Sequence, residues 1–165
     1  PVRLKQNGWW GNAACGLCYE GLAWITGAAV MAGGAPSLRS LILAALYSAG
    51  AHGIMTLNDF KSIDGDARMG IGSLPVRLGP QRAAQVACWV MALPQVAVVV
   101  LLADWGQALH AAAVSVLLAA QIVMMRRFLA APRERALWYS GLGVALYVLG
   151  MLIAAFALRA VEQLT

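Results

Sequence analysis

Charged residues are scarce in this sequence. Asp, Glu, Lys and Arg make up 12% of the 165 residues, whereas apolar residues make up 61%. Soluble globular domains carry about 25% charged residues, so the composition excludes that class and indicates an integral membrane protein. The net charge of +5 does not indicate nucleic-acid binding, because the basic residues lie in short loops and form no exposed stripe.

Cysteine is also rare, with three residues in the chain. Cys15 and Cys18 have the C-x-x-C spacing, but no second pair and no histidine cluster accompanies them. We therefore interpret Cys15, Cys18 and Cys88 as buried, thiol-form packing residues in apolar runs, with a redox or metal role as the alternative. The sequence contains no internal repeat and no low-complexity tract that would indicate a repeat protein or a linker.

Apolar residues are concentrated in five segments, at about 13–33, 38–57, 82–103, 107–125 and 137–158. Each is close to the ~20 residues that a helix needs to cross the hydrocarbon core of a bilayer. The sequence therefore predicts an all-α, multi-pass transmembrane bundle of five helices in one domain over residues 1–165. The polar loop 58–82 joins the second helix to the third.

The basic residues predict the orientation of these helices. Five crossings place alternate connections on opposite sides, and ten of the twelve basic residues then fall on one side. Cytoplasmic loops carry the excess of Lys and Arg, so this side is predicted to be cytoplasmic. The ten residues are Arg3, Lys5, Lys61, Arg68, Arg77, Arg82, Arg126, Arg127, Arg133 and Arg135, whereas Arg39 and Arg159 lie on the other side.

The stretch 58–68 is the most informative part of the chain. It places three carboxylates, one lysine and one arginine within eleven residues, directly after an apolar run. Each charge would cost roughly 2.5 to 3.5 kcal/mol at the centre of a membrane helix, so these residues must lie at a membrane–water edge or line a wet cavity. Carboxylates and cations at a cavity mouth suit a magnesium-bound phosphate or diphosphate.

The spacing of these charges predicts a break in the helix. Asp59 and Asp66 share a helix face, and Lys61 and Arg68 repeat that spacing about 200° away. Both signs converge on one ligand only if the helix breaks, which we expect at Gly65. Asp59 would then end the helix and Asp66 would follow the break, both reaching magnesium, while the two cations contact phosphate oxygens. The alternative is a solvated loop in which the charges pair with each other.

Two ionisable residues lie within the predicted membrane helices. Glu20 either lines a cavity or makes a structural hydrogen bond to a neighbouring helix, since a carboxylate in a membrane helix is a functional candidate. His52 precedes Asp59 by seven residues, so it faces the same side of the helix. It could ligate the metal of a tetrapyrrole or contact a diphosphate, and the alternative is a histidine satisfied within the bundle.

The motif resembles a known family of membrane enzymes. The string 58–66, continued by Gly70, the Ser-Leu-Pro-Val sequence 73–76 and Gly79, resembles the second aspartate-rich motif of the UbiA-type prenyltransferases. Within this superfamily it is most similar to the chlorophyll and bacteriochlorophyll synthases. The arm 4–12 fits the same subgroup, and the segment 18–22 favours its bacteriochlorophyll branch.

The resemblance implies a fold of nine membrane helices with one aspartate-rich motif in each half. The chain matches helices five to nine, the second half of that fold, and a first motif of the Asn-Asp-x-x-Asp type has no counterpart in it. Because the chain also starts at Pro1, we expect a fragment whose N-terminal half is missing, and this fragment alone to be inactive. Its partners would be that half, the lipid bilayer and the two substrates, with no nucleic acid.

The implied reaction is the last step of (bacterio)chlorophyll synthesis. A C20 prenyl group, geranylgeranyl or phytyl, would pass from its diphosphate to the propionate carboxylate of a chlorophyllide-type tetrapyrrole, with Mg²⁺ as cofactor, in a bacterial cytoplasmic or intracytoplasmic membrane. By resemblance, the metal ligands would be Asp59, Asp66 and Asp64, and the diphosphate would be bound by Lys61, Arg68 and Asn58. Asp59, Asp66, Lys61 and Arg68 would be the catalytic residues.

Two positions depart from the common family pattern. Many relatives have aspartate where this chain has Ser62, and serine is also typical of the chlorophyll-synthase subgroup. Position 64 is commonly glutamate, whereas Asp64 has a shorter side chain and a shorter reach to a metal.

Other functions remain open at this point. Within the family, the acceptor could be a quinone ring, a haem or glycerol phosphate. Outside it, the chain could be half of a transporter or a non-catalytic membrane subunit that binds pigment. These last interpretations predict that Asp59→Ala and Asp66→Ala are tolerated, whereas the enzyme interpretation predicts loss of turnover.

Overall fold

The computed structural model describes residues 3–163, which form seven helices and no β-strand beyond one isolated bridge between Asn7 and Gly72. A short 3₁₀ turn, Leu4–Gln6, precedes the first helix. The helices are α1 (Gly8–Ala32), α2 (Leu38–Asp59), α3 (Ile63–Arg68), α4 (Leu74–Leu78), α5 (Pro80–Asp104), α6 (Ala108–Ala130) and α7 (Pro132–Glu162).

Five of these helices, α1, α2, α5, α6 and α7, are long and apolar enough to cross a membrane. The prediction of an all-α, multi-pass membrane bundle is therefore confirmed. The prediction that all three cysteines are buried is wrong: Cys88 is buried in α5, whereas Cys15 is partly exposed and Cys18 is exposed on α1. The helix ends differ from the apolar runs because polar residues extend them. For example, α1 begins at Gly8 because the side chain of Asn7 accepts a hydrogen bond from the N–H of Trp9 and caps the helix.

Helix α2 lies at the centre of the fold and packs against α1, α5 and α7. In its most apolar window 61% of the residues are buried, against 11% in α1. Its side chains Leu43, Tyr47 and Leu57 are buried completely or almost so. The loop that follows α2 therefore starts from the most buried of the five long helices.

Close approach between helices depends on small residues. Gly16 of α1 lies against α2, where an added Cβ would be 2.8 Å from the backbone oxygen of Ser48. Gly50 of α2 leaves room for Tyr147 of α7, whose hydroxyl donates a hydrogen bond to the backbone oxygen of Tyr47 (2.9 Å). The hydrophobic effect contributes little to the association of helices in lipid, so close packing and hydrogen bonds of this kind hold the helices together.

A pair of glutamine side chains joins α5 to α6 in the buried core. Gln95 Nε2 donates to Gln121 Oε1 (3.2 Å), and Gln121 Nε2 donates to Gln95 Oε1 (3.0 Å). Both side chains are fully buried. Gln95 Nε2 also donates to the backbone oxygen of Met91 (3.0 Å), but the oxygen of each amide depends on the other glutamine for its hydrogen bond. The pair therefore helps to fix how α5 and α6 are aligned along their axes.

We expect Gln121→Met to lower the free energy of unfolding by about 1 to 3 kcal/mol, because Gln95 Oε1 would stay buried without a partner. The double variant Gln95→Met/Gln121→Met should be less destabilised than the single variant, since both polar groups are then removed. Unfolding in detergent micelles measures both values, with Gln81→Met, at an exposed position, as the control. A single variant as stable as the wild type would contradict this role of the pair.

Candidate functional site

The candidate site begins where α2 ends, at Asp59. The N–H groups of Phe60, Lys61 and Ser62 donate to the oxygens of Leu57, Asn58 and Asp59, which tightens the chain into a turn. The side chain of Phe60 is buried against the ring of Phe128, at a centroid distance of 5.7 Å. The expected break at Gly65 is therefore wrong: burial of Phe60 turns the chain earlier, and Gly65 lies inside α3.

Asp59 is held from the first helix. Asn12 Nδ2 donates to Asp59 Oδ2 at 3.0 Å and to Thr56 Oγ1 at 3.2 Å. The Thr56 hydroxyl donates in turn to the backbone oxygen of His52 (3.0 Å). Asn12 and Thr56 are buried, so this network fixes the orientation of a carboxylate that remains partly exposed.

Asp66 is held by the turn itself. The Ser62 hydroxyl donates to Asp66 Oδ2 (2.8 Å), and the N–H of Asp66 donates to the backbone oxygen of Ser62 (2.7 Å). Asp66 is 7% exposed. The serine at position 62 thus orients the neighbouring acid, where an aspartate would add a third negative charge.

The two carboxylates lie close enough for their charges to interact, and Lys5 is the cation whose charge also reaches Asp59. Each carboxylate has one oxygen in a side-chain hydrogen bond, and within residues 3–163 the second oxygen of each has no hydrogen-bond partner. Free carboxylate oxygens on neighbouring, partly buried acids form a suitable donor set for a hard divalent cation. No group of three or more metal-ligating side chains occurs in this part of the chain.

The other motif residues face solvent. Lys61 Nζ contacts Asn58 Oδ1 at 3.4 Å, and Arg68 Nε donates to the backbone oxygen of Asp64 at 3.1 Å. The Asp64 carboxylate forms an ion pair with Arg133 of α7 at 2.6 Å. Lys61, Asn58 and Arg68 therefore have exposed side chains on the same loop as the acids, whereas Asp64 is engaged with α7 and is the weakest of the three metal candidates.

The two residues expected to line a cavity have different surroundings. His52 lines a cavity of about 700 Å³, its Nε2 lies 3.2 Å from the backbone oxygen of Trp9, and its buried Nδ1 has no partner in the described structure. Glu20 lies in a π-helical turn of α1, Leu17–Leu22, and is half-buried. Within residues 3–163 its carboxylate makes no hydrogen bond or ion pair, so a structural bond to a neighbouring helix is not formed there.

Sequence reasoning missed Asn12, which reaches both Thr56 and Asp59. The signal was present, since Asn12 is a polar side chain beside an apolar run, where an unpaired amide is costly. Its partner could not be identified because it lies on another helix, far along the chain.

A sequence model of the UbiA prenyltransferase family matches residues 1–140. The chain belongs to this family. No solved structure matches the chain. The family generally uses divalent metal ions, and Asp59 and Asp66 are the residues whose free carboxylate oxygens fit such an ion.

Named relatives support the narrower resemblance to the chlorophyll and bacteriochlorophyll synthases. The chain is 55% identical to the bacteriochlorophyll synthase 33 kDa chain of Cereibacter sphaeroides, with 99% of this chain and 54% of that protein covered. It is 47% identical to the 34 kDa chain of Chloroflexus aurantiacus, covering 97% and 51%. Chloroplastic chlorophyll synthase of Arabidopsis thaliana is 35% identical, covering 95% and 40%. The chain thus spans about half the length of the bacterial relatives.

Loss of the Asn12 amide should weaken metal binding, because Asp59 would lose the hydrogen bond that orients it. We expect Asn12→Ala to reduce the affinity for Mn²⁺ or Mg²⁺ by about 10- to 100-fold, as for other residues that orient a metal ligand. Metal-dependent thermal stabilisation of the full-length protein measures this affinity. Gln81→Ala, which removes an exposed amide bound to the Leu129 oxygen, is the matched control. Equal metal affinity in Asn12→Ala and in the control would contradict this role.

Proposed function

We propose that this chain forms the C-terminal part of a Mg²⁺-dependent prenyltransferase that acts on a chlorophyllide-type acceptor. The transferred group would be a C20 prenyl chain, geranylgeranyl or phytyl, and the acceptor group would be the propionate carboxylate of the tetrapyrrole. The names of the relatives, bacteriochlorophyll synthase and chlorophyll synthase, support this acceptor class over a quinone ring or a haem.

One observation carries the proposal: the charges of Asp59 and Asp66 interact, and each acid has an oxygen free of hydrogen-bond partners within residues 3–163. Two like charges at the end of an apolar helix repel each other unless a cation lies between them or beside them. A divalent ion that also contacts a diphosphate would offset both charges. Asp64 is a possible further ligand only if its ion pair with Arg133 opens.

The proposed chemistry is a substitution at the allylic carbon of the donor. The bond between C1 and the diphosphate oxygen breaks, its electron pair leaves with the diphosphate, and an oxygen of the propionate forms the new bond to C1. When bound, Mg²⁺ supplies positive charge that stabilises the departing diphosphate. The acceptor carboxylate has a reference pKa around 4, so it is ionised near neutral pH and needs no general base.

The exposed donors of the motif have a role in the same step. Lys61 and Arg68 would neutralise phosphate oxygens, and the amide of Asn58 would donate a hydrogen bond to the diphosphate. All three are exposed, so they can reorient towards a ligand without loss of buried contacts. Any further metal ligands would come from the first aspartate-rich motif, in the other half of the protein, so residues 1–165 alone should not transfer a prenyl group.

Removing either metal-binding acid should abolish turnover. In the full-length protein we expect Asp59→Asn and Asp66→Asn each to lower kcat by about 100-fold or more, since metal stabilisation of the leaving group contributes several kcal/mol. Prenyl transfer to chlorophyllide, followed by chromatography of the esterified pigment, measures this loss. The matched control is Asp104→Asn, which changes an exposed acid at the far end of α5.

Retention of most activity in both motif variants would contradict the assignment of Asp59 and Asp66 as metal ligands, whereas pigment binding without any prenyl transfer by the wild type would favour a pigment-binding subunit. A smaller effect of Asp64→Asn than of Asp66→Asn is also expected, because Asp64 is 74% exposed and paired with Arg133.

We further propose that the motif faces the cytoplasm of a bacterial inner or intracytoplasmic membrane. One side of the bundle carries the starts of α1, α5 and α7 and the ends of α2 and α6. Ten of the twelve basic residues belong to that side. This asymmetry is the usual signal for a cytoplasmic surface.

Cysteine labelling tests this orientation. In a cysteine-free full-length protein expressed in bacteria, Ala35→Cys should react with an impermeant maleimide in intact cells, because residue 35 is exposed in the connection between α1 and α2. Gln81→Cys, exposed at the start of α5, should react only after the cells are permeabilised. The reverse labelling pattern would contradict the proposed orientation.

A further inference from the structure

A cavity of about 700 Å³ lies over the side of α2 that carries Asp59, between α1 and α5. Its size falls within the range of about 300 to 1,000 Å³ that is typical of small-molecule sites. Its walls include Trp9 and Trp10 of α1, Ala49 and His52 of α2, Val90 of α5 and Arg77 of α4.

The walls of this cavity are mostly apolar and aromatic. The rings of Trp9 and His52 lie with their centroids 5.6 Å apart and their planes 32° from parallel. Trp10 is exposed. Two tryptophans and an imidazole suit a flat, extended π-system better than an alkyl chain alone, because ring faces favour offset stacking.

The charge of the cavity has one sign. Among the lining residues that the structure describes, Arg77 is the only cation and none is acidic. Arg77 Nη1 lies 3.4 Å from Asn7 Oδ1, which leaves its remaining N–H groups available. An apolar cavity with a single guanidinium at its edge therefore matches a largely apolar molecule that carries a carboxylate.

His52 supplies a polar atom that lacks a partner. Its Nε2 bonds to the backbone oxygen of Trp9, and since a carbonyl oxygen only accepts, Nε2 carries the proton in the neutral ring. Nδ1 is then an acceptor, buried and without a partner in the described structure. His52 is 8% exposed, so this unsatisfied acceptor lies inside the protein.

The cavity is connected to the acidic site by two helices. His52 and Asp59 lie seven residues apart on one face of α2, about 10 Å along its axis. On α1, Trp9 lines the cavity and Asn12, one turn later, binds Asp59. The cavity and the acidic site are thus lined by residues of the same two helices, α1 and α2.

We infer that this cavity binds the prenyl acceptor, an aromatic macrocycle bearing a carboxylate, with its ring system against Trp9 and His52 and its carboxylate near Arg77. The inference rests on the proposed function, because it assigns the acceptor of that reaction to a second site beside the diphosphate site. It predicts that cavity variants change acceptor binding and leave donor binding unchanged.

Kinetics of the full-length protein test this assignment. We expect Arg77→Gln to raise the KM for chlorophyllide about tenfold or more, the usual effect of losing a hydrogen bond to a charged group, with the KM for prenyl diphosphate unchanged. Ala49→Trp, at an exposed position on the cavity wall, should fill the space and abolish the absorbance change when chlorophyllide is titrated without donor. Arg82→Gln removes an exposed arginine outside the cavity and is the matched control.

The outcomes distinguish a wrong assignment of the acceptor site from a wrong proposal for the reaction. An unchanged KM for chlorophyllide in both cavity variants, or an equal rise in the KM for the donor, would overturn the assignment. Loss of co-purified phospholipid from both variants, with normal acceptor kinetics, would identify a lipid groove and also overturn it. If the wild type transfers no prenyl group to chlorophyllide, the proposed function fails, whereas the donor-free titration of the wild type and Ala49→Trp still tests the cavity.

Discussion

Asp59 and Asp66 place two negative charges close enough to interact where an apolar helix meets water. Within residues 3–163 each acid has one oxygen fixed by a hydrogen bond, from Asn12 or from Ser62, and one oxygen without a partner. Charges of the same sign in such a place destabilise the protein unless a cation offsets them. The geometry of the loop, the packing of α1 on α2 and the proposed chemistry all follow from the need to hold these two carboxylates together.

The fold provides this arrangement through its central helix. Because α2 contacts α1, α5 and α7, its end is fixed by most of the bundle, and burial of Phe60 against Phe128 turns the chain directly after Asp59. Helix α1 contributes Asn12 to the acids and Trp9 to the neighbouring cavity, so one helix positions residues at both proposed substrate sites. Close packing at Gly16 keeps α1 within hydrogen-bonding distance of α2. Preorganisation of this kind lets ionic groups act without rearrangement during the reaction.

The five membrane helices could be predicted from the sequence because long apolar runs have few other stable structures. Asp59 and Asp66 could be singled out from the sequence as candidate ligands, since charges at the end of such a run are costly, and their role stays a prediction. The position of the turn could not, because Gly65 is the locally permissive residue but the burial of Phe60 is a tertiary contact. The ion pair between Asp64 and Arg133 and the bond from Asn12 to Asp59 join residues distant in sequence, and no local pattern encodes those pairings.

A structure of the full-length protein with Mn²⁺ and a non-hydrolysable prenyl diphosphate tests the central claim most directly. The account predicts an anomalous scattering peak for Mn²⁺ in contact with a carboxylate oxygen of both Asp59 and Asp66 and with the diphosphate. Manganese bound elsewhere, with these two carboxylates turned away from each other and from the diphosphate, would contradict it.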